Sequence, residues 1–247
     1  MKPAAEEHTD DITRALNYPY SRPKGSFTVS GNQVHDLPPD FWPLGRIPVL
    51  ACGSNAAPEQ LVRKFGGHET DAIHVTQAHL KDYLIGYSAH IAGYGAIPAT
   101  LAVAKGHGTD CHITWLTEAQ LRHMHKTEAV GKNYRFSELR NLSLQCSQNG
   151  LLTTAFAYIS LRGYLAQNDN PILIKDLNTA KAPFQEMSQQ NIQRLMCSLV
   201  SPASSVEDFI VENITDPDLR RDRVHKFGQY AKIFSCPNEK IILPQEA

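Results

Sequence analysis

Two short segments of the sequence carry residue types that can do chemistry at close quarters. The first is "VLACGSNAAPEQL", residues 49–61, which begins like a buried strand and ends like a helix, with Gly53, Ser54 and Asn55 at the join. A strand-to-helix corner exposes backbone N–H groups, and the helix dipole adds partial positive charge there. The corner is therefore expected to bind an anion or a carbonyl oxygen, and Gly53, which has no side chain, lets a ligand approach the backbone closely. The alternative is that the three residues only make the turn and cap the helix.

The second segment is a predicted helix that carries a carboxylate where an apolar residue is expected. In "TEAQLRHMHKTEAVGKNY", helical spacing places Leu121, Met124 and Glu128 on one stripe, which should face the interior. A partly buried carboxyl group at the end of a helix is suited to general acid/base work. The alternative is a glutamate that is exposed to solvent or paired with a neighbouring base. The candidate bases are Lys126, Lys132 and Arg135.

Other kinds of site find little support in the sequence. The Gly-Ser-Asn corner has neither a Walker lysine nor a G-x-G-x-x-G pattern, so nucleotide binding is not predicted. The five cysteines are far apart and form no C-x-x-C pair, which argues against disulfides and a zinc site. Although the chain has 11 histidines, His123 and His125 are two apart on a predicted helix and point to different faces. We expect no metal and no organic cofactor.

The composition favours a soluble globular protein with a small-molecule partner. Lysine plus arginine (24) nearly balances aspartate plus glutamate (25), so no one-signed field exists to attract nucleic acid or an anionic membrane. No apolar run approaches the roughly 18 residues of a membrane span. The start, "MKPAAEEHTDD", lacks the apolar region of a signal peptide. We therefore expect a cytoplasmic protein, with no indication of its oligomeric state.

Three segments are predicted along the chain. Residues 1–45 form a proline-rich N-terminal arm, expected to be irregular because proline removes N–H donors. The aromatic side chains of Phe41 and Trp42 could pack the end of the arm against the core. Residues 46–165 form a β-rich core, and residues 166–247 form a helical extension.

In the core, short apolar runs predict seven strands and two helices. The first helix runs from Pro58 to about Phe65, with Gly66 and Gly67 as a stop. The second begins at Thr117, which forms a capping box with Gln120, and ends before residue 131. The predicted strands are Ile47–Cys52, Ala72–Gln77, Tyr83–His90, Ala99–Ala104, Cys111–Leu116, Leu139–Gln145 and Thr154–Leu161.

The extension has a helical pattern in three places. These are "APFQEMSQQNIQRLMCSLV", "SSVEDFIVEN" and "DPDLRRDRVHKFG". In the third, Asp216 can cap the helix, Pro217 can occupy its first turn and Gly228 can end it. The fold class predicted is α+β, with a small mixed or barrel-like β core and a helical C-terminal extension.

The order and spacing of these motifs resemble the γ-glutamylcyclotransferase family. That family carries a Y-G-S-N loop after a strand and a catalytic glutamate that closes a segment like L-x-x-L-[DE]-x-x-E-G. The counterparts here are "CGSN", residues 52–55, and "LRHMHKTEA", residues 121–129. The resemblance covers roughly residues 46–165 and extends weakly into the helical segment that follows. Two departures are Cys52 in place of the loop tyrosine and Ala129 in place of the glycine.

The resemblance implies a reaction as well as a fold of the γ-glutamylcyclotransferase type. In the family, the α-amine of a bound γ-glutamyl group attacks its own γ-carbonyl, which gives 5-oxoproline and a free amine or amino acid. Glu128 would be the acid/base in this lyase-like acyl transfer, and the substrate-binding residues would be Cys52, Gly53, Ser54, Asn55 and Tyr134. Tyr134 could instead be a core residue of the next strand. The small-residue segment "GYGAIPATL", residues 93–101, would line the pocket or only form a hairpin turn.

Two other functions stay open at this stage. The first is a catalytically silent module that binds a γ-glutamyl metabolite, because Cys52 lacks the ring and hydroxyl of tyrosine. Cys52 itself is either a reactive thiol at a helix N-terminus or a small buried side chain. The second is a partner-docking protein that uses the arm and the extension.

Overall fold

The computed structural model describes residues 8–66, 71–175, 177 and 183–242 of the chain. Three features named above lie outside these ranges: the acidic first residues, Gly67, and the start of the helical segment at residue 182. None of the helices within the described ranges is long and apolar enough to cross a membrane.

The N-terminal arm has more regular structure than its prolines suggest. It contains helix α1 (Thr9–Leu16) and a hairpin of β1 (Phe27–Ser30) and β2 (Gln33–Asp36). The expectation of an irregular arm is therefore wrong, because the prolines of its described part lie outside these elements and Gly31, at φ +56°, makes the hairpin turn. The ring of Phe41 packs 4.5 Å from that of His74, so this residue pins the arm as expected. Trp42 does not, since it is 69% exposed.

The middle of the chain forms a small closed sheet flanked by two helices. Its elements are β3 (Ile47–Ala51), α2 (Pro58–Phe65), β4 (Ile73–Tyr87), β5 (Ala99–Leu116), α3 (Glu118–Thr127), β6 (Tyr134–Cys146) and β7 (Gly150–Ser160). The strands follow the order β4-β5-β3-β7-β6, and β6 pairs again with β4, which closes a five-stranded barrel. β3 and β7 are parallel while the other pairs are antiparallel, so the sheet is mixed. The predicted α+β class with a barrel-like core is confirmed.

Two strands are longer than the sequence pattern predicts. The two strands predicted at 72–77 and 83–90 are halves of β4, and those at 99–104 and 111–116 are halves of β5. Between the halves the register shifts, and Asp82, at φ +67°, accepts a hydrogen bond of 2.7 Å from the N–H of Gly106. This bulge bends the hairpin without ending it. Polar and glycine residues that resemble a turn therefore lie inside continuous strands.

The C-terminal part contains the three predicted helices and several short strands that were not predicted. These elements are β8 (Tyr164–Gln167), β9 (Asn170–Pro171), β10 (Leu173–Ile174), β11 (Glu186–Met187), α4 (Gln189–Val200), α5 (Val206–Thr215), α6 (Pro217–Phe227), β12 (Ala231–Lys232) and β13 (Glu239–Ile242). Asp216 caps α6 through its side chain, Pro217 is in the first turn, and Gly228 follows the helix, all as predicted. β13 returns to pair with β6.

Two hydrophobic clusters position the helices and the arm against the barrel. The larger cluster joins Tyr18 of the arm, Leu50 of β3 and Phe227 of α6. The smaller cluster contains Leu61 and Phe65 of α2 together with Met124 of α3. Burial of these side chains, worth about 2 kcal/mol each, holds α2 beside α3. The ends of these two helices consequently lie close together.

Candidate active site

The Gly-Ser-Asn corner is a single 3₁₀ turn. Gly53 has an extended backbone (φ −136°, ψ −133°), residues 54–56 form the turn, and α2 begins only at Pro58. The N–H groups of Ala56 and Ala57 bond the carbonyls of Gly53 and Ser54 at 3.1 and 2.9 Å. The α-helix therefore begins at Pro58, as predicted, but the expectation that the corner itself carries the helix terminus is wrong. The corner presents side chains rather than the N-terminus of an α-helix.

Glu128 lies at the C-terminal end of α3 and faces this corner. Its side chain is 14% exposed. The Asn55 amide donates to its Oε1 at 2.9 Å, although 73 residues separate the two in sequence. The ammonium of Lys64 pairs with the same oxygen and donates to Asn55 Oδ1 at 2.8 Å. Asn55, Lys64 and Glu128 thus form a closed triangle of polar contacts.

The two carboxylate oxygens of Glu128 differ in their surroundings. Oε1 accepts both hydrogen bonds of the triangle. Oε2 has no hydrogen-bond partner in the part of the chain that the structure describes. A carboxylate held by one oxygen keeps the other available as an acceptor for a ligand proton. This is the geometry that a general base requires.

The cation beside Glu128 is not one of the bases expected from the sequence. Lys126 is exposed, and Arg135 pairs with Glu239 at 2.7 Å. The partner is Lys64, only 8% exposed, because packing of α2 on α3 brings the last turn of α2 to the end of α3. A sequence signal for Lys64 does exist. It follows the buried Leu61 by three residues, so it is a lysine on the apolar stripe of α2.

A cavity of about 230 Å³ is bordered by both the corner and Glu128. All six predicted site residues line it: Cys52, Gly53, Ser54, Asn55, Glu128 and Tyr134. Its wall also includes residues that were not predicted: Tyr18, Lys64, His90 and Tyr158. The segment at residues 93–101 contributes Gly93, Tyr94, Pro98 and Ala99 to the lining, while Gly95, at φ +85°, makes a turn.

Cys52 is a buried thiol. It is 8% exposed, and its Sγ lies 3.9 Å from the carbonyl of Leu50. Burial raises the pKa of the thiol far above its ordinary value, with a smaller contribution from Cys111. Because only the thiolate is a strong nucleophile, Cys52 is a neutral filler rather than a reactive thiol at neutral pH.

Tyr134 and Ala129 show how the segment after α3 is fixed. The Tyr134 hydroxyl donates to the carbonyl of Ala99 at 3.1 Å, and burial raises its pKa. Ala129 has φ +48°, a left-handed conformation that favours glycine. The chain therefore turns directly after Glu128.

His90 adds a neutral polar group to the wall. Its ring is 2% exposed, and its Nδ1 lies 2.6 Å from the Ser88 hydroxyl. Burial, and to a smaller extent the charge of Arg162, lowers its pKa to about 3. The imidazole is therefore uncharged at neutral pH. The ion pair of Lys64 and Glu128 leaves the cavity close to neutral overall.

The comparisons with known proteins give only distant similarity. No protein-family model matches the chain, and no curated protein matches it. A solution structure of a protein from Arabidopsis thaliana has 12% identity and a TM-score of 0.33, covering 62% of this chain and 83% of its own. A human protein described as uncharacterized has 14% identity and a TM-score of 0.37, covering 73% and 87%. A structure described as a gamma-glutamyl cyclotransferase has 12% identity and a TM-score of 0.36, covering 78% and 91%. Similarity at this level does not assign an activity.

Proposed function

We propose that the chain is a γ-glutamylcyclotransferase-like enzyme that cyclises a γ-glutamyl group to 5-oxoproline and releases an amine or amino acid. The observation that carries the proposal is the contact between two motifs far apart in sequence. Asn55 of the Gly-Ser-Asn corner bonds Glu128 at 2.9 Å at the edge of one cavity. A binding corner and an acid/base carboxylate are the two parts that this reaction needs.

In the proposed reaction Glu128 moves two protons, one at a time, from the α-nitrogen to the leaving nitrogen. Oε2 accepts a proton from the substrate α-ammonium, and the freed amine attacks the γ-carbonyl carbon. Glu128 gives this proton to the leaving nitrogen as the C–N bond to the ring nitrogen forms and the C–N bond to the leaving amine breaks. The ring nitrogen then loses its second proton through Glu128 to the released amine, which leaves as an ammonium ion. Acid/base catalysis of this kind contributes about 10²- to 10⁴-fold in rate.

Lys64 would exchange partners when substrate binds. In the free protein its ammonium occupies the place beside Glu128 Oε1 that a substrate ammonium would share. A γ-glutamyl group brings an ammonium and a carboxylate on one carbon, so it can pair with both members of the ion pair. Lys64 then holds the α-carboxylate while Glu128 faces the α-amine. Holding the chain bent in this way supplies much of the acceleration, because intramolecular attack saves about 7 kcal/mol or more of the barrier.

The experiment is a direct search for 5-oxoproline. Purified protein is incubated with γ-glutamyl amino acids, γ-glutamyl amines and glutathione, and product is quantified by mass spectrometry. Glu118→Gln, in the first turn of the same helix and 83% exposed, is the matched control for Glu128→Gln. We expect product from the wild type and from Glu118→Gln but not from Glu128→Gln. Equal product from all three would exclude Glu128 as the acid/base.

A catalytically silent binding module is the second candidate function. The observation that favours it is the ion pair itself, since Lys64 occupies one oxygen of the carboxylate that must act as a base. This candidate predicts that 5-oxoproline or a γ-glutamyl amino acid raises the melting temperature without any product appearing. Product formation would exclude it.

A further inference from the structure

Tyr18 comes from the N-terminal arm and reaches the Gly-Ser-Asn corner. Its side chain is 5% exposed and lines the cavity. The backbone N–H of Ala99 donates to its hydroxyl oxygen at 2.7 Å. A Cβ built on Gly53 would lie only 2.2 Å from that oxygen. Gly53 is therefore needed at the corner to make room for a tyrosine hydroxyl of the arm.

The hydroxyl proton of Tyr18 is available to a ligand. Burial has the largest effect on the pKa of Tyr18 and raises it well above the ordinary value, although the backbone of Ala99 and, more weakly, that of Ser54 lower it. The hydroxyl therefore stays protonated. Among the described residues no acceptor takes this proton, whereas Tyr134 and Tyr87 donate theirs to the carbonyls of Ala99 and Met187. A hydroxyl group whose oxygen accepts a hydrogen bond from an N–H can still donate its own proton to another acceptor.

Contacts on both sides of Tyr18 hold the arm in this position. The Arg14 guanidinium lies 4.8 Å from the ring centroid of Tyr94, another residue of the cavity wall. On the other side, the ring of Tyr20 packs edge-on against the ring of Tyr18, with 6.0 Å between the ring centroids. The guanidinium of Arg63 lies 5.3 Å from the centroid of the Tyr20 ring. Arg22 donates to the carbonyl of Leu177 at 3.2 Å. The arm is thus fixed to the barrel before and after the residue that enters the cavity.

We infer that Tyr18 is a substrate-binding residue whose O–H donates to a carbonyl oxygen of the ligand. The inference rests on the proposed function, in which that oxygen is the γ-carbonyl as it gains negative charge. Tyr18 adds a side-chain hydrogen-bond donor beside the Gly-Ser-Asn corner, at the cavity wall. A neutral, protonated donor in a water-poor site suits an oxygen whose charge develops during the reaction. The arm thereby completes the site rather than only covering it.

The test compares Tyr18→Phe with Tyr20→Phe. Tyr20 is a matched control because it lies in the same arm and its buried hydroxyl has no hydrogen-bond partner in the described chain. For Tyr18→Phe we expect kcat to fall about 100-fold with little change in KM, as when one oxyanion donor is removed. The Kd of 5-oxoproline, measured by calorimetry, should rise roughly fivefold. Tyr20→Phe should leave kcat and Kd unchanged, and thermal unfolding should show that both variants fold.

The outcomes separate this inference from the proposed function. Unchanged kcat and Kd in a Tyr18→Phe variant with a lower melting temperature would overturn the inference, because the hydroxyl would then have a structural role alone. If the wild type binds 5-oxoproline without turnover and Tyr18→Phe binds it more weakly, the inference stands and the proposed reaction fails. A wild type that neither binds 5-oxoproline nor forms it would overturn both.

Discussion

Two buried ion pairs of this protein have similar burial and very different surroundings. Lys64 and Glu128 are 8% and 14% exposed, and Arg135 and Glu239 are 13% and 10% exposed. Arg135 bonds both oxygens of Glu239 at 2.7 and 3.0 Å, and Ser137 adds a third hydrogen bond at 2.6 Å. Glu128, by contrast, lines a cavity, and its partners among the described residues all contact a single oxygen, Oε1.

On the proposed function, the difference separates a structural ion pair, Arg135–Glu239, from a reactive one, Lys64–Glu128. The Arg135–Glu239 pair joins β6 to β13 and has its hydrogen-bonding groups satisfied within the protein. A lysine is a single point charge that changes partner easily, whereas the arginine fork fixes a carboxylate in two places. We therefore expect changes at Glu239 to affect folding and changes at Glu128 to affect turnover.

The largest expected effect is the loss of turnover in Glu128→Gln. The amide cannot accept and return the proton, so kcat should fall by about 10³-fold or more. Glu239→Gln should retain the wild-type kcat per folded molecule. The measurement is the steady-state rate of 5-oxoproline formation for both variants at equal folded concentration. A large loss of kcat in folded Glu239→Gln would break the distinction between the two pairs.

The second effect concerns stability and follows the opposite order. Glu239→Gln leaves Arg135 buried beside a neutral group, and we expect the free energy of unfolding to fall by about 3 kcal/mol. Glu128→Gln should cost less, because the ammonium of Lys64 keeps its bond to Asn55 and borders a cavity. Urea denaturation of the two variants measures both values. A greater loss in Glu128→Gln would contradict the assignment of Glu239 as the structural member.

A third prediction concerns the cation at the cavity. Lys64→Met should raise KM about tenfold, since a charged hydrogen bond to the substrate carboxylate is worth roughly 1.5 kcal/mol. Lys126→Met, an exposed lysine on α3, is the matched control and should change nothing. Steady-state kinetics of both variants would measure the effect. An unchanged KM in Lys64→Met would mean that Lys64 serves only to neutralise Glu128.

The fourth prediction is a loss of stability in mild acid from buried neutral histidines. Burial lowers the pKa of His90 to about 3 and that of His112 to about 4, from 6.5. As the pH falls below 6.5, these histidines become protonated in the unfolded chain but stay neutral in the folded chain. The free energy of unfolding therefore has its full value above pH 6.5 and decreases as the pH drops toward the pKa of the folded state. Each histidine should cost about 2 kcal/mol between pH 6.5 and 5. The free energy of unfolding, measured by urea denaturation at each pH, should fall less steeply with decreasing pH in His90→Asn than in the control His35→Asn, whose ring is exposed. Parallel pH dependences in the two variants would contradict this prediction.

The smallest expected effect is a gain in stability at the residue after Glu128. Ala129 is in the left-handed region at φ +48°, so Ala129→Gly should stabilise the protein by about 0.5–1 kcal/mol. Asn168→Gly, at φ +49°, should gain less because asparagine tolerates this region. Thermal unfolding of both variants compares the two gains. A loss of stability in Ala129→Gly would show that the methyl group contributes packing that outweighs the backbone strain.

The sequence predicted those parts of the site that depend on local patterns. The helix Pro58–Phe65, the capping box at Thr117 and the inward stripe of Met124 and Glu128 follow from residue spacing along one element. The strand ends were less predictable, because the bulge at Asp82 lets one strand continue through polar residues.

The parts that the sequence did not predict depend on tertiary packing. Lys64 reaches Glu128 only because α2 packs beside α3, and its position on the apolar stripe of α2 was the one available clue. Tyr18 had no such clue, since its contacts with the corner and with Ala99 join residues far apart in sequence. Local patterns therefore locate Glu128 and the Gly-Ser-Asn corner, but long-range packing supplies the other groups that line the cavity.

The measurement that tests the central claim most directly uses a γ-glutamyl amino acid with ¹⁵N in its α-amine. Intramolecular attack keeps this nitrogen in the ring. The account predicts that the wild type releases ¹⁵N-5-oxoproline and the free amino acid in equal amounts, and that Glu128→Gln releases neither above the rate without protein. Release of ¹⁵N-glutamate by the wild type, or labelled 5-oxoproline from both proteins at the same rate, would contradict it.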